Sequence, residues 1–393
     1  MNTGSMTSNA VPRLAIVRQK YNPAGGAERF VSRAVGALRD AGEVDVVLIA
    51  RRWESLAGLT PCLVNPFFLG NVWRDWGFAR AARRAWKSMG ISLVQSHERI
   101  PGCSIYRAGD GLHARWLEIR RQGLGFWGRL SLWCNPYHHY TLAAERAMFT
   151  HPDLQLVICN SRMVKNEIRS AFGLPEESFA VIHNGLDTEK FSLALRERYR
   201  ESMRRALTIP QNAPVLLHVG SGFERKGLKA SLAAVRANPD VWLVVVGRDK
   251  NDRDYKAMAR RYGIADRVYF AGAQDDVLPF YGMADALVLT SLYDPFPNVG
   301  IEALASGLPV FTSPTCGTAE LIQNGNNGWV VESAQDVSGL SHAVAEWMAD
   351  RRRWPELRIA ARRSVEHMTL EAMASELLGC YQRILASSAR KVK

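Results

Sequence analysis

The stretch VLLHVGSGFERKGL, residues 215–228, starts as a short apolar run, passes through Gly220 and Gly222, and enters a helix-like segment after Arg225 and Lys226. An apolar run followed by a turn and a helix is typical of a parallel strand with its crossover helix. The glycines let a ligand approach the backbone, the helix start offers free N–H groups, and two cations lie beside it. The stretch therefore predicts an α/β unit that binds a diphosphate, although it is neither a P-loop nor a GxGxxG fingerprint. The alternative is a surface turn with solvated charges.

The same pattern recurs on both sides of this stretch. Strand-like apolar runs, each followed by a turn and a helix-like segment, occupy residues 13–18, 44–50, 92–96, 156–160, 179–183, 241–247, 268–272, 286–290 and 309–313. The alternation predicts parallel sheets with crossover helices. It pauses over residues 186–212, which are rich in Arg and Glu. We therefore expect two doubly wound α/β domains, residues 12–190 and 205–374, joined near residues 188–212, and a closing helix over residues 375–390.

The composition limits the class of protein. The 393 residues are 47% hydrophobic and 22% charged, which suits a globular chain of two domains. No apolar run approaches the roughly 18 residues that a membrane-spanning helix requires, and the N-terminal residues lack the pattern of a secretory signal. The six cysteines include no CxxC pair, which favours buried thiols over a zinc cluster or disulfides. We expect a soluble or peripheral protein of the cytoplasm.

Two carboxylates eight residues apart, Asp294 and Glu302, lie in the stretch DPFPNVGIEALASG. We expect Asp294 after a strand and Glu302 in the first turn of the next helix, so that both lie at the same sheet edge as Arg225 and Lys226. A carboxylate at that edge can accept two hydrogen bonds from a vicinal diol, as acidic residues do on ribose. The alternative for Glu302 is compensation of the helix dipole, which contributes about 0.3–1 kcal/mol.

Together these segments resemble the large retaining glycosyltransferase family 4. Residues 294–302 look like its E-x7-E motif with Asp in place of the first Glu, and residues 220–227 look like its Arg-Lys diphosphate clamp. Residues 160–168, 181–191 and 307–322 match its other landmarks in order, so the resemblance covers nearly the whole chain. It implies a GT-B fold, in which two Rossmann-like domains face a cleft and the C-terminal helix returns to the N-terminal domain.

The resemblance also implies roles for single residues. Arg225 and Lys226 would neutralise the diphosphate of a nucleotide-sugar donor, Glu302 would hold the ribose hydroxyls, and Asp294 would contact the transferred sugar. The donor-binding residues implied in this way are Gly25, Gly26, Gly220, Arg225, Lys226, Asn298, Val299, Gly300 and Glu302. Asp in place of Glu shortens the reach to the sugar by one methylene, which leaves the identity of the sugar open.

The resemblance implies retention of anomeric configuration without a metal or cofactor, the leaving phosphate taking the proton of the acceptor. A metal-dependent transferase would need a D-x-D pair, which Asp252 and Asp254 formally supply. We interpret that pair as part of a solvated loop and expect no metal site. The nucleotide-sugar is a substrate, and a UDP-sugar is the usual donor in the family, although users of GDP-mannose share these motifs.

The first half of the chain supplies the candidate acceptor residues. A glycine-rich loop after the first strand contains Gly25, Gly26 and Glu28, which match a family loop bordering the diphosphate and the acceptor. The segment PGCSIYRAGD resembles the lipopolysaccharide core glucosyltransferases, in which the last Asp orients or activates the acceptor, and that residue is Asp110 here. His97 is its rival, and a structural role for His97 stays open.

Two segments, residues 73–87 and 113–133, interleave basic and aromatic residues. In the first, four cations recur at i, i+3, i+4 and i+7 on one helix face: Arg80, Arg83, Arg84 and Lys87. Basic residues suit anionic headgroups and aromatic rings suit the membrane boundary, so these segments predict contact with an anionic membrane. The net charge of +12 fits that contact. Single-stranded nucleic acid is the alternative, but no nucleic-acid-binding motif is present and none is expected as a partner.

These observations predict a peripheral enzyme of the inner face of the cytoplasmic membrane that moves a hexose from a nucleotide-sugar to a lipid-linked glycan, of the lipopolysaccharide core type. A GDP-mannose-dependent mannosyltransferase and a GT-B nucleotide-sugar epimerase are alternative enzymes. A nucleotide-sugar-binding or nucleic-acid-binding scaffold is the alternative without catalysis.

Overall fold

The computed structural model describes residues 13–20, 45–52 and 60–391. The chain divides into two compact units. Of the described residues, the first unit comprises those up to Cys159, residues 165–182 and those from Met373 onwards. The second unit comprises residues 160–164 and 183–372. Gly25, Gly26 and Glu28 lie outside the described residues.

The first unit alternates strands and helices. Its strands are β1 (Arg13–Lys20), β2 (Asp45–Arg52), β3 (Thr60–Leu63), β4 (Leu93–Ser96), β5 (Ile105–Ala108), β6 (Leu156–Cys159) and β7 (Phe179–Val181). Its helices are α1 (Gly70–Ser88), α2 (His113–Gln122), α3 (Phe126–Cys134), α4 (Pro136–Phe149) and most of α5 (Arg162–Phe172). Helix α4 begins where the side chain of Asn135 accepts a hydrogen bond from the amide of Tyr137, with Pro136 in the first turn.

The strands of the first unit form a parallel sheet in the order β3-β2-β1-β4-β5-β6-β7. Residues 14–17 of β1 are all buried, because a parallel sheet is covered on both faces and its strands are continuously apolar. The strand order reverses between β1 and β4, and a ligand of an open α/β sheet binds beyond the carboxyl ends of the strands at such a point. Arg18 and Lys20 lie at the end of β1, and His97 follows β4.

The second unit repeats this architecture. Its helices are α6 (Ala194–Ala206), α7 (Leu228–Ala237), α8 (Asp252–Arg261), α9 (Leu278–Met283), α10 (Asn298–Ala305), α11 (Val337–Ala349) and α12 (Trp354–Arg363). Its strands are β8 (Val215–Val219), β9 (Trp242–Val246), β10 (Val268–Gly272), β11 (Ala286–Leu289), β12 (Val310–Thr312) and β13 (Gly328–Val330). They form a parallel sheet in the order β10-β9-β8-β11-β12-β13, so that the order reverses between β8 and β11.

The core of the second unit lies on both faces of its sheet. Along β8, Val215, Leu217 and Val219 pack on one face with residues of α6, α9 and α10. Leu216 packs on the other face with residues of α7, α8 and α11. Each such aliphatic side chain stabilises the fold by roughly 1.5–3 kcal/mol when it is fully buried. The two covered faces leave the strand ends as the polar edges of this unit.

The last helix, α13 (Leu370–Lys391), belongs to the first unit from Met373 onwards. The predicted closing helix is therefore confirmed, and it packs in the first unit through Leu377, Tyr381 and other buried residues. The strands expected at the apolar runs are all present within a residue or two of the expected ends. No helix within residues 13–20, 45–52 and 60–391 combines the length and apolarity needed to cross a membrane.

Three details of the expected organisation were wrong. Residues 188–212 are not a plain joint, because α6 lies within them and is part of the second unit. Glu302 is not in a first helical turn, because α10 begins at Asn298 after Pro297, and the first turn contains no acidic residue. Asp252 and Asp254 are not in an irregular loop but in the first turn of α8, where carboxylates interact favourably with the helix dipole.

Candidate active site

The carboxyl edge of the second sheet carries a cluster of two cations and one carboxylate. Asp294 follows β11, and its Oδ2 atom accepts hydrogen bonds from Lys226 Nζ at 2.5 Å and from Arg225 Nη1 at 3.0 Å. The side chains of Lys226 and Asp294 are each 10% exposed, whereas that of Arg225 is 38% exposed. A buried ammonium requires a counter-charge, and Asp294 supplies it for Lys226.

The turn between β8 and α7 places these cations. Gly227 has a φ of +79°, and a Cβ atom built there would lie 2.1 Å from the carbonyl oxygen of Thr290. Only glycine tolerates both the left-handed conformation and this close approach. The amide of Leu292 donates to the carbonyl of Arg225 at 2.8 Å, which ties this turn to the segment after β11. The Arg-Lys pair is therefore fixed against the reversal point of the sheet.

The backbone of Asp294 is held as firmly as its side chain. Its amide donates to the carbonyl of Thr315 at 3.0 Å, and its own carbonyl accepts from the amide of Gly317 at 2.8 Å. Since a Cβ atom at Gly317 would lie 1.7 Å from the carbonyl oxygen of Pro295, the two segments approach more closely than any other residue type would permit.

Glu302 lies on α10 and is partly buried. Its Oε2 atom accepts a hydrogen bond from the hydroxyl of Tyr281 at 2.8 Å. Burial raises the pKa of Glu302 above its ordinary value, and the Tyr281 hydrogen bond and the charge of Lys190 only partly offset that rise. The pKa of Tyr281 is also raised, chiefly by burial and then by the neighbouring carboxylate. Tyr281 was not anticipated as part of the site.

The start of α10 provides backbone donors near the same edge. Asn298, Val299 and Gly300 are its first three residues, and the first N–H groups of a helix lack an intrahelical acceptor. The amide of Gly300 donates to the carbonyl of Pro297 at 3.0 Å, whereas the side chain of Asn298 accepts from Asn184 at 2.9 Å. A Cβ atom at Gly300 would lie 2.8 Å from Thr318, so glycine is required for packing here.

The D-x-D pair, Asp252 and Asp254, lies in the first turn of α8, and Asp252 accepts a hydrogen bond from the segment just before that turn. The Oδ1 atom of Asp252 accepts from the amide of Asp249 at 2.8 Å. Across the part of the chain that the structure describes, no three His, Cys, Asp or Glu side chains are grouped so that they could hold a metal ion.

In the first unit, a cavity of about 400 Å³ lies at the reversal point between β1 and β4. Asp110, which follows β5, and His97, which follows β4, both line this cavity. The structure thus places the two candidate acceptor residues together, with Asp110 exposed. Five cations and two other carboxylates line the same cavity: Arg18, Lys20, Arg74, Arg99, Arg107, Asp75 and Glu98.

His97 is held by a chain of hydrogen bonds that starts on α13. The hydroxyl of Tyr381 donates to Gln95 Oε1 at 2.6 Å, and Gln95 Nε2 lies 3.1 Å from His97 Nε2. An amide nitrogen can only donate, so His97 Nε2 accepts in this arrangement and the ring proton lies on Nδ1. Burial lowers the pKa of His97 well below its ordinary value, and the charges of Arg107 and Arg18 lower it further. His97 is therefore a neutral imidazole.

Glu98 and Arg99 in the same cavity were missed. Glu98 accepts a hydrogen bond from the amide of Gln19 at 3.0 Å, and burial raises its pKa. Arg99 donates to Glu145 at 3.0 Å and to the carbonyl of Gly111 at 3.2 Å. Their position directly after β4, at the carboxyl edge of a parallel strand, is the signal that would have identified them.

The two basic and aromatic segments are helical. Residues 73–87 lie in α1, and residues 113–133 cover α2 and most of α3. Helix α3 exposes its largest apolar side chains rather than burying them: Phe126 is 73% exposed, Trp127 78% and Trp133 69%. An exposed apolar patch of this kind marks an interaction surface.

Two doubly wound parallel units in one chain define the GT-B class of fold. Comparison with known proteins gives the family. Residues 24–190 match Glycosyltransferase Family 4, and residues 199–364 match Glycosyl transferases group 1. The chain belongs to this family of glycosyltransferases.

Individual relatives agree with this assignment. Lipopolysaccharide glucosyltransferase WaaG of Escherichia coli is 27% identical over 326 residues, which cover 81% of this chain and 84% of WaaG. The uncharacterized glycosyltransferase MJ1607 of Methanocaldococcus jannaschii is 30% identical over 360 residues, 85% of this chain and 90% of MJ1607.

Solved structures show the same fold. The crystal structure of WaaG, a glycosyltransferase involved in lipopolysaccharide biosynthesis, matches with a TM-score of 0.76 at 23% identity, covering 93% of this chain and 98% of that one. Anabaena HepE in complex with UDP and glucose matches with a TM-score of 0.67 at 18% identity, covering 94% and 99%. The predicted GT-B fold and the resemblance to family 4 are confirmed.

Proposed function

We propose that this glycosyltransferase moves a hexose, with retention of configuration and without a metal, from a UDP-sugar to a lipid-linked glycan acceptor of the lipopolysaccharide core type. The observation that carries the proposal is the cluster of Arg225, Lys226 and Asp294 at the reversal point of the second sheet. The similarity to WaaG supports the choice of acceptor, and the UDP bound by HepE supports the choice of nucleotide.

The cluster suits a nucleoside diphosphate. Two cations fixed by the backbone can bind the diphosphate oxygens through charge-assisted hydrogen bonds. The amides of Asn298 and Val299 at the start of α10 add backbone donors and the positive end of a helix dipole. Glu302 would accept the ribose hydroxyls, and Asp294 would contact the transferred sugar.

The same groups would accelerate the reaction. As the bond between the anomeric carbon and the diphosphate oxygen breaks, negative charge grows on the leaving diphosphate. Arg225 and Lys226 are already in position to stabilise that charge, so little reorganisation is required in the transition state. The acceptor hydroxyl oxygen forms the new glycosidic bond, and its proton passes to the leaving phosphate.

The cavity of the first unit suits the acceptor. Asp110 would accept a hydrogen bond from the attacking hydroxyl and orient it. Neutral His97, with its proton on Nδ1, would donate a hydrogen bond to a sugar oxygen. We place the enzyme on the inner face of the cytoplasmic membrane, with residues 113–133 and the Trp73 end of residues 73–87 towards the anionic surface, because exposed aromatic rings and cations suit the headgroup region.

The replacement Lys226→Met tests the site assignment. We expect sugar transfer to fall about 10²–10³-fold, as when one donor to a developing anion is removed. Lys229→Met is the matched control, because Lys229 lies three residues later on α7 and is exposed. The control should transfer sugar at the wild-type rate. Equal rates for both variants, with both folded, would show that the diphosphate binds elsewhere.

A thermal-shift panel of UDP-glucose, UDP-galactose, UDP-N-acetylglucosamine and GDP-mannose tests the donor. A ligand that binds the folded protein at about 100 times its Kd stabilises it by about 2.7 kcal/mol. We expect a UDP-sugar to give the largest shift. A shift with GDP-mannose alone would favour a mannosyltransferase, and conversion of a bound nucleotide-sugar to its epimer without acceptor would favour an epimerase.

A further inference from the structure

A second cavity of the first unit lies between α1 and α4. It has a volume of about 490 Å³ and is open to solvent. Its floor is made of small and apolar residues from both helices, among them Ala79 on α1 and Ala143 and Ala147 on α4. Because alanine side chains are short, the two helices leave a groove between them instead of packing tightly. We call this cavity the α1–α4 groove.

The rim of the α1–α4 groove is cationic. The basic row of α1 lies along it: Arg80, Arg83, Arg84 and Lys87. Positions i to i+7 span about 10 Å along a helix, so four positive charges line one side of an apolar floor. Trp76 lies beside the row and is 50% exposed, with the guanidinium of Arg80 5.8 Å from its ring centre.

No carboxylate within residues 13–20, 45–52 and 60–391 forms an ion pair with any of these four cations. Other cations of the same unit do form ion pairs: Arg74 pairs with Asp75 at 2.7 Å, and Arg99 pairs with Glu145 at 3.0 Å. The contact of Arg83 is with an imidazole, His151, at 3.4 Å. The row therefore has positive charge that the described part of the chain does not neutralise.

The α1–α4 groove adjoins the candidate acceptor cavity. Five residues line both cavities: Ala79, Arg99, Ile100, Tyr140 and Ala144. A ligand that places one sugar beside Asp110 can therefore extend past Tyr140 into the groove without leaving the surface of the first unit.

We propose that the α1–α4 groove binds phosphate groups carried by the acceptor glycan beyond the sugar that receives the hexose. This inference rests on the proposed function and specifies its acceptor as a phosphorylated glycan. The cationic row binds the phosphates, and the apolar floor and Trp76 contact the faces of the sugar rings. Uncharged glycans of the same length lack the groups that the row recognises.

The experiment compares one acceptor in two forms. The probe is a deacylated, fluorescently labelled lipopolysaccharide core oligosaccharide, before and after treatment with phosphatase. Binding is followed by fluorescence anisotropy and transfer by the acceptor KM. The test variant is Arg80→Gln/Arg84→Gln, because both side chains are exposed and their loss does not disturb the core. The control Arg146→Gln/Arg260→Gln removes the same charge from exposed positions outside the groove.

We expect the wild type and the control to bind the phosphorylated form roughly tenfold more tightly than the treated form, as one or two charge-assisted contacts provide. In the test variant, which keeps Arg83 and Lys87, this ratio should fall several-fold towards one. A ratio that stays near tenfold in the test variant would overturn the inference. The inference would also be overturned if the test variant kept the tenfold ratio but no longer bound anionic vesicles that contain no acceptor. The row would then be a membrane contact.

Failure of the proposed function would look different. If wild-type protein transfers no sugar to either probe but binds the phosphorylated probe through Arg80 and Arg84, the groove is a glycan phosphate site and the proposed reaction is wrong. If transfer occurs and the two variants show the same ratio of KM values for the two probes, the reaction stands and the groove assignment is wrong.

Discussion

Strand β11 has an aspartate at each end, and the two aspartates are treated differently. Asp285, before the strand, accepts hydrogen bonds from Arg196 at 3.0 Å, Arg200 at 2.6 Å and Arg204 at 2.7 Å. Arg204 is completely buried, and its remaining nitrogens donate to main-chain carbonyls such as that of Met283. Both oxygens of the Asp285 carboxylate are therefore engaged by arginines inside the fold.

Asp294, after the strand, has two cations that keep donors to spare. Among the described residues, Arg225 donates only through Nη1, to Asp294 and to the carbonyl of Tyr293 at 3.2 Å. The two ends show how an α/β sheet divides its polar edges. At the amino edge, three arginines converge on one buried carboxylate, and these contacts hold α6 against the sheet. At the carboxyl edge, the same residue types retain hydrogen-bonding capacity for a ligand.

Replacing each aspartate by asparagine tests the difference between the two ends of β11, and it should give the largest changes in stability. Asp285→Asn leaves buried guanidinium groups without their counter-charge, which costs about 3–5 kcal/mol, roughly 10 °C in Tm for a unit of this size. Asp294→Asn should cost about 1–2 kcal/mol, because the Lys226 stem lets its ammonium turn towards water. Differential scanning calorimetry measures both. Equal losses of Tm would mean that both clusters are structural.

The pH dependence of stability tests the role of Asp285 further, with a smaller expected change in Tm. Burial would raise the pKa of Asp285, but Arg204, Arg200 and Arg196 outweigh burial and lower it below its ordinary value. The stabilisation by Asp285 is therefore complete above its unfolded-state pKa of about 3.9 and is lost as the pH falls through the lower folded-state value. The Tm difference between wild type and Asp285→Asn should shrink as the pH falls below about 4.

Glu302, near the carboxyl edge, should behave in the opposite way. Its pKa is raised by burial, so its contribution to stability is complete below its unfolded-state pKa of about 4.3 and is lost as the pH rises through the higher folded-state value. Glu302→Gln should therefore gain Tm relative to the wild type as the pH rises from about 4 to 7. Parallel Tm curves for Glu302→Gln and wild type would contradict this assignment.

The sequence predicted the fold because the parallel strands are continuous apolar runs, and such runs leave few alternatives. It failed at α6, which was interpreted as a joint because it is rich in arginine. Arg196, Arg200 and Arg204 recur at i, i+4 and i+8 and face one buried carboxylate. A basic helix face is normally solvated, and only the distant Asp285 makes this one internal.

The residues of the candidate site also fall into those that the sequence could predict and those that it could not. Arg225, Lys226 and Asp294 could be predicted together because each follows a strand that ends at one sheet edge, and the structure brings them within hydrogen-bonding distance. Tyr281 could not be predicted, because it lies on a helix remote in sequence and reaches Glu302 only through tertiary packing. The position of Glu302 in its helix was wrong because the helix begins directly after Pro297.

The smallest effect on activity is expected for Tyr281→Phe. This replacement tests whether Glu302 binds the ribose of the donor, with Tyr281 only supporting Glu302. Tyr281→Phe removes the hydroxyl that donates to Glu302 at 2.8 Å, which costs about 1–2 kcal/mol. The pKa of Glu302 should rise further, because this hydrogen bond favours its charged form.

If Glu302 holds the ribose of the donor, the donor KM of Tyr281→Phe should rise less than tenfold while kcat stays unchanged. Tyr269→Phe, at an exposed position, is the control. A fall in kcat at constant KM would mean that Glu302 acts on the reacting sugar rather than on the ribose.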